Sequence, residues 1–122
     1  MARDIEQKAM KLVMGYERKH GRYPKDMSTT GCGYDIKSGS RLIEVKGMSH
    51  PNGDFISLYK KLLTKLGKEI SNYYIYVVYD IKNKPKLKII PPNTILANLE
   101  IETSFFIRAK AYKDIEGVSI ED

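Results

Sequence analysis

The run Tyr73-Tyr74-Ile75-Tyr76-Val77-Val78-Tyr79 is the most β-prone stretch of the chain, and neither of its faces is polar. A strand apolar on both sides has to be covered on both sides. It therefore reads as the central buried strand of a sheet with a layer on each face, an α/β arrangement. With 122 residues the chain has room for one such domain, spanning 1–122, and for a core that needs no staples. The lone Cys32 supplies none. It excludes an intramolecular disulfide framework and a multi-cysteine zinc site, and it suits a reducing, cytoplasmic location.

The rest of the chain sorts around that strand. Residues 2–20 predict an amphipathic helix, with Ile5, Ala9, Leu12, Val13 and Tyr16 at helical spacing and Gly21 and Pro24 ending it. A loop over 22–33 leads to two paired strands, 34–38 and 41–46, joined by Gly39-Ser40, which suits a type II′ turn because that turn wants glycine first. Residues 55–58 predict a third strand. A second helix follows over 59–71, with Leu62, Leu63, Leu66 and Ile70 on one side and Lys61, Lys65 and Lys68 on another. After the central strand come a strand over 86–90, a short helical turn capped by Asn93, a last strand over 105–112 and a frayed acidic tail. The order is α-β-β-β-α-β-β with a small C-terminal β addition, implying a mixed sheet flanked by helices.

Composition narrows the partners. Hydrophobic residues are 42%, charged residues 30% and mean hydropathy is −0.41, the profile of a globular chain. No stretch approaches the roughly 18 apolar residues of a membrane span, so no membrane partner is expected. Twenty-one basic against 15 acidic residues give +6 at neutral pH. That permits a polyanionic partner, since Lys and Arg displace the counterions of a phosphate backbone; a solvated lysine face is the plainer alternative.

The chemistry sits on the hairpin. If Gly39-Ser40 is the turn, Ser38 faces Arg41, Lys37 faces Leu42, Ile36 faces Ile43, and Asp35 faces Glu44. Opposed residues have Cβ atoms about 4.5–5.5 Å apart, and two carboxylates at that distance repel. A divalent cation between them reverses the sign. Lys46 lies two residues beyond Glu44 on the same face. Two carboxylates and a lysine around one point are what metal-assisted phosphodiester hydrolysis needs. Alternating charge on an outer strand face, with Lys37 and Lys46 bridging the two acids, has the same pattern.

The block Gly33-Tyr34-Asp35-Ile36 … Ile43-Glu44-Val45-Lys46-Gly47 resembles the PD-(D/E)XK nuclease superfamily, with Tyr34 in place of the naming proline. Archaeal Holliday-junction resolvases are similar in size and motif. The resemblance spans residues 2–80 and implies a restriction-endonuclease-like α-β-β-β-α-β core. It implies Asp35 and Glu44 as ligands of Mg²⁺ or Mn²⁺, and Lys46 as the catalytic lysine. Glu17, four residues after Val13 at the edge of the helix's buried face, would be an accessory ligand, or else an ordinary helix-end glutamate. DNA would be the substrate, Lys61, Lys65 and Lys68 phosphate contacts, and a homodimer the means of cutting two strands. The competing readings are a non-catalytic nucleic-acid-binding module and a dimeric interaction module on the same fold. No residue pattern reads bases, so the form of the substrate stays open.

Overall fold

The structure, a computed structural model, describes residues 2–51, 56–58, 67–101 and 105–121. Helix α1 (Ala2–Lys19) opens the chain. The strands that follow are β1 (Pro24–Asp26), β2 (Ile36–Ser38), β3 (Arg41–Gly47) and β4 (Ile56–Leu58). A 3-10 turn, Gly67–Asn72, leads into β5 (Tyr73–Tyr79) and then β6 (Lys86–Ile90). The C-terminal part adds helix α2 (Pro92–Ala97), β7 (Glu100–Ile101), β8 (Phe105–Ile107), a 3-10 turn (Ala109–Ala111) and β9 (Val118–Ser119).

Six strands form one mixed sheet in the order β1-β2-β3-β5-β6-β9, and β5 lies at its centre as its apolar run requires. The β3–β5 pair is parallel and its neighbours are antiparallel. A parallel pair needs a long crossover, and the chain between Gly47 and Tyr73 supplies it. On one face Ala9, Leu12 and Val13 of α1 pack on Ile36, Ile43, Tyr76 and Val78. On the other, Leu42, Tyr73, Ile75 and Val77 meet Ile56, Ile95, Ile107 and Tyr112. The hairpin turns where expected. Gly39 has φ +59, Ser40 is not left-handed, and the ladder runs Ser38–Arg41, Lys37–Leu42, Ile36–Ile43.

Several expectations are corrected. The loop over 22–33 contains β1, which pairs with β2 but has no apolar alternation, so hydrophobic patterning could not reveal it. The third strand of the β-meander is therefore β1. Ile56–Leu58 instead joins a second sheet, ordered β4-β8-β7. Residues 59–66 of the expected second helix lie outside the described residues, and Gly67–Asn72 is a 3-10 turn. α2 begins with Pro92 after an extended Pro91, not with an Asn93 cap, because proline's fixed φ suits the first helical turn. The strand expected over 105–112 ends at Ile107. The tail is anchored: β9 pairs with β6, Ile120 is buried, and its N–H donates to the Pro85 carbonyl at 3.2 Å.

Gly47 sets how closely α1 approaches β3. A Cβ there would meet Ala9 Cβ, Ile5 Cγ2 and the Ile5 carbonyl oxygen, each at 3.0 Å. Gly47→Ala must push the first half of α1 outward, and overpacking of this kind costs about 1–3 kcal/mol. Urea unfolding should show that loss as a lower midpoint at unchanged m-value.

Candidate active site

β2 begins only at Ile36, so its ladder with β3 stops at Ile43. β3 continues through Glu44, Val45, Lys46 and Gly47 with β5 along one edge and, among the described residues, no strand along the other. Asp35 sits where the missing strand would run. Its N–H donates to the Ile43 carbonyl at 2.9 Å, and its own carbonyl accepts from the Met27 N–H at 2.7 Å. Its carboxylate Oδ2 accepts the Val45 N–H at 2.8 Å. A side chain thus satisfies a strand amide that the ladder leaves open, which fixes the direction of the carboxylate.

Glu44 and Lys46 alternate with Ile43 and Val45 and so turn away from the α1 layer. The Lys46 Nζ lies 3.3 Å from Glu44 Oε2, with the side chains 29% and 17% exposed. Burial pushes the Glu44 carboxyl up, and the adjacent Asp35 charge adds to this. Lys46 opposes both, and the balance lies at about 7. Glu44 is thus poised between its charged and neutral forms near neutral pH.

Asp35, Glu44 and Lys46 open onto one cavity of about 690 Å³. It is also lined by α1, where Glu6, Met10 and Met14 recur every fourth residue, and by Asp26. Asp26 is engaged locally: its Oδ1 accepts the Ser28 N–H at 2.9 Å and the Ser28 hydroxyl at 2.6 Å. Among the described residues, no group of three or more His, Cys, Asp or Glu side chains is placed to hold a metal ion. Glu6 went unnoticed in the sequence because it lies outside the apolar stripe. Its spacing with Met10 and Met14 was the available signal.

Glu17 is not brought to this cluster. It is fully buried near the C-terminal end of α1, and Arg22 grips it with Nε at 2.5 Å and Nη2 at 2.7 Å. The Tyr76 hydroxyl donates to the same carboxylate at 2.9 Å, and Arg41 donates to that hydroxyl at 2.6 Å. Tyr76 points into the α1 layer, the side of the sheet opposite to Glu44. Burial alone would raise the Glu17 carboxyl, but Arg22, Tyr76 and the nearby Ser38 hydroxyl outweigh it and hold it below its ordinary value.

Lys61 and Lys65 lie outside the described residues, and of Lys68 only the backbone, in the 3-10 turn, is described. Lys82, Lys84 and Lys86 are exposed, as a solvated face predicts. Lys88 is not: it is buried, and Nζ donates to the Tyr112 and Lys113 carbonyls at 3.3 Å each. His20 ends α1, its Nδ1 2.9 Å from the Tyr16 carbonyl oxygen and its ring against Tyr16. Cys32 is a half-buried free thiol.

The chain thus carries a six-stranded mixed sheet flanked by helices, with Asp35, Glu44 and Lys46 grouped at one strand edge. It is similar to a solved structure of Hjc, a Holliday junction resolvase from the archaeal hyperthermophile Archaeoglobus fulgidus. The match covers 93% of this chain and 90% of that one at 18% identity, with a TM-score of 0.63; at that identity the likeness is one of fold. Residues 5–90 match the family model described as "Protein NO VEIN, C-terminal", and the chain belongs to that family. Comparison with curated proteins yields no match. Among the described residues no helix is long and apolar enough to cross a membrane.

The two glutamates should titrate stability in opposite senses. Glu44, raised, contributes stability that is complete below its unfolded value and lost as pH rises through about 7. Glu17, lowered, contributes stability present above its unfolded value and lost as pH falls through its folded value. In metal-free urea unfolding, Glu44→Gln should therefore abolish a decline of roughly 1–3 kcal/mol between about pH 5 and 8. Glu17→Gln should cost about 1–3 kcal/mol at neutral pH and flatten the acid limb instead.

Proposed function

We propose that the chain is a metal-dependent nuclease that hydrolyses phosphodiester bonds in DNA. The observation that carries this reading is the convergence of Asp35, Glu44 and Lys46 on one cavity at the free edge of β3. The donor set fits a hard divalent cation: two carboxylates whose mutual repulsion helps raise Glu44 by burial and charge, with oxygen ligands suited to Mg²⁺ or Mn²⁺. When bound, such a cation, held by Asp35 and Glu44, supplies positive charge to the phosphate and acidity to water.

The chain's own groups do the rest. The Val45 amide keeps the Asp35 carboxylate aimed at the cavity. Lys46, 3.3 Å from Glu44, directs its ammonium toward a non-bridging oxygen of the scissile phosphate and stabilises charge as it develops there. Water adds to phosphorus, one ester P–O bond breaks, and the departing oxygen takes up a proton to leave as an alcohol. Glu6 is the helix carboxylate that faces this cavity. Glu17 acts in this reading as a buried structural anchor rather than a ligand. One centre per chain cuts one strand, so paired cuts need a second copy.

The net charge of +6 favours a polyanionic substrate, with Lys61, Lys65 and Lys68 as candidate phosphate contacts. The solved neighbour is a Holliday junction resolvase, so a four-way junction heads the substrates to test. The test is a panel of junction, duplex and single-stranded DNA with Mg²⁺ and with Mn²⁺. Wild type should cleave at least one substrate, and Lys46→Ala should lose about 100-fold or more in rate while still binding it. Binding without cleavage under either metal would favour the non-catalytic nucleic-acid-binding module.

A further inference from the structure

Tyr73 is fully buried, and among the described residues its hydroxyl has no hydrogen-bond partner. A phenol in that position is unfavourable on stability grounds, because phenylalanine fills the same space without an orphan polar group. Its place in the sheet suggests what the oxygen is for. The parallel register sets Tyr73 beside Leu42 and Ile75 beside Glu44, and alternation turns Tyr73 and Glu44 to the same face. Diagonal neighbours across adjacent strands have Cβ atoms about 7–8 Å apart, within reach of an aromatic side chain. Burial and the charges of Glu44 and Asp35 all disfavour loss of the phenol proton, so the group stays a hydrogen-bond donor close to two carboxylates. The other orphan, Ser38 Oγ, lies beside Glu17 in the opposite layer and has no part in this cluster.

We propose that, with a cation bound, the Tyr73 hydroxyl is a positioning group of the Asp35–Glu44 centre, donating to the Glu44 carboxylate and holding it toward the cation. The inference rests on the reading of Asp35 and Glu44 as cation ligands. Tyr73 touches neither substrate nor cation, and its effect reaches them through Glu44. Groups that orient metal ligands in this way commonly matter to metal affinity as well as to rate.

The test compares wild type with Tyr73→Phe, using Mn²⁺ alone as the probe in calorimetric titration of the metal-free protein. The variant should melt at the same temperature as wild type or higher without metal, and should bind Mn²⁺ about three- to tenfold more weakly, the worth of one hydrogen bond. On a cleaved substrate, kcat should fall while KM for DNA stays unchanged. Mn²⁺ affinity and kcat equal to wild type would overturn the inference and leave the ligand assignment standing. Absence of Mn²⁺ binding to wild type would overturn the ligand assignment and this inference with it. A second measurement needs no variant: in protein labelled at the tyrosine ring carbons, the Tyr73 Cζ resonance should shift with saturating Mg²⁺ while that of buried Tyr112 stays fixed. An unmoved Tyr73 resonance counts against the proposal even if Tyr73→Phe fails to fold.

Discussion

The hydrogen bond from the Val45 amide to the Asp35 carboxylate, 2.8 Å long, organises everything of chemical interest in this molecule. A strand edge without a partner normally leaves its amides to water. Here the missing strand is replaced by one carboxylate, so the edge of β3 is closed by an acid rather than by more backbone. The cavity lies at that edge, lined by Asp35 and residues 44–47 together with α1.

The sheet divides the acidic groups by environment. Glu17 and Glu44 are the same residue type, both away from bulk water, yet they are displaced in opposite directions. Glu17 faces a two-pronged arginine and a tyrosine hydroxyl, which satisfy a full negative charge. Glu44 faces another acid, and the Lys46 ammonium does not offset burial and the Asp35 charge. A carboxylate that is satisfied internally is a structural element, whereas one left in conflict invites an external cation. That contrast separates the two carboxylates: one has partners for its charge, and the other is buried beside a like charge.

What could be seen in the sequence follows from which distances the chain controls locally. Gly39 determined the hairpin turn and the register as far as Ile36–Ile43; Asp35, expected opposite Glu44 in that ladder, lies beyond its end and meets the edge of β3 through the Val45 amide. The central position of Tyr73–Tyr79 followed from its double-sided apolarity. Glu17 escaped because helical spacing tells which face is buried but not which end of the helix lies over the site. Gly47 touches Ile5 and Ala9, so the site end of β3 lies beside the first half of α1, and Glu17 is at the other end. Its partner Arg22 comes from beyond the chain reversal at Gly21, where helical periodicity has stopped. β1 carried no signal because Pro24, Lys25 and Asp26 contribute backbone pairing and no apolar face. Tyr73 was correctly placed in the core, but an orphan hydroxyl is a property of three-dimensional packing alone.

The proposed nuclease activity requires Asp35 and Glu44 together to hold a divalent cation at the free edge of β3. Anomalous diffraction from crystals grown in millimolar Mn²⁺ tests it most directly. A peak is expected within about 2.0–2.3 Å of an oxygen from each of these two carboxylates, with none at Glu17. A peak absent from that position, or found on other side chains, would contradict it.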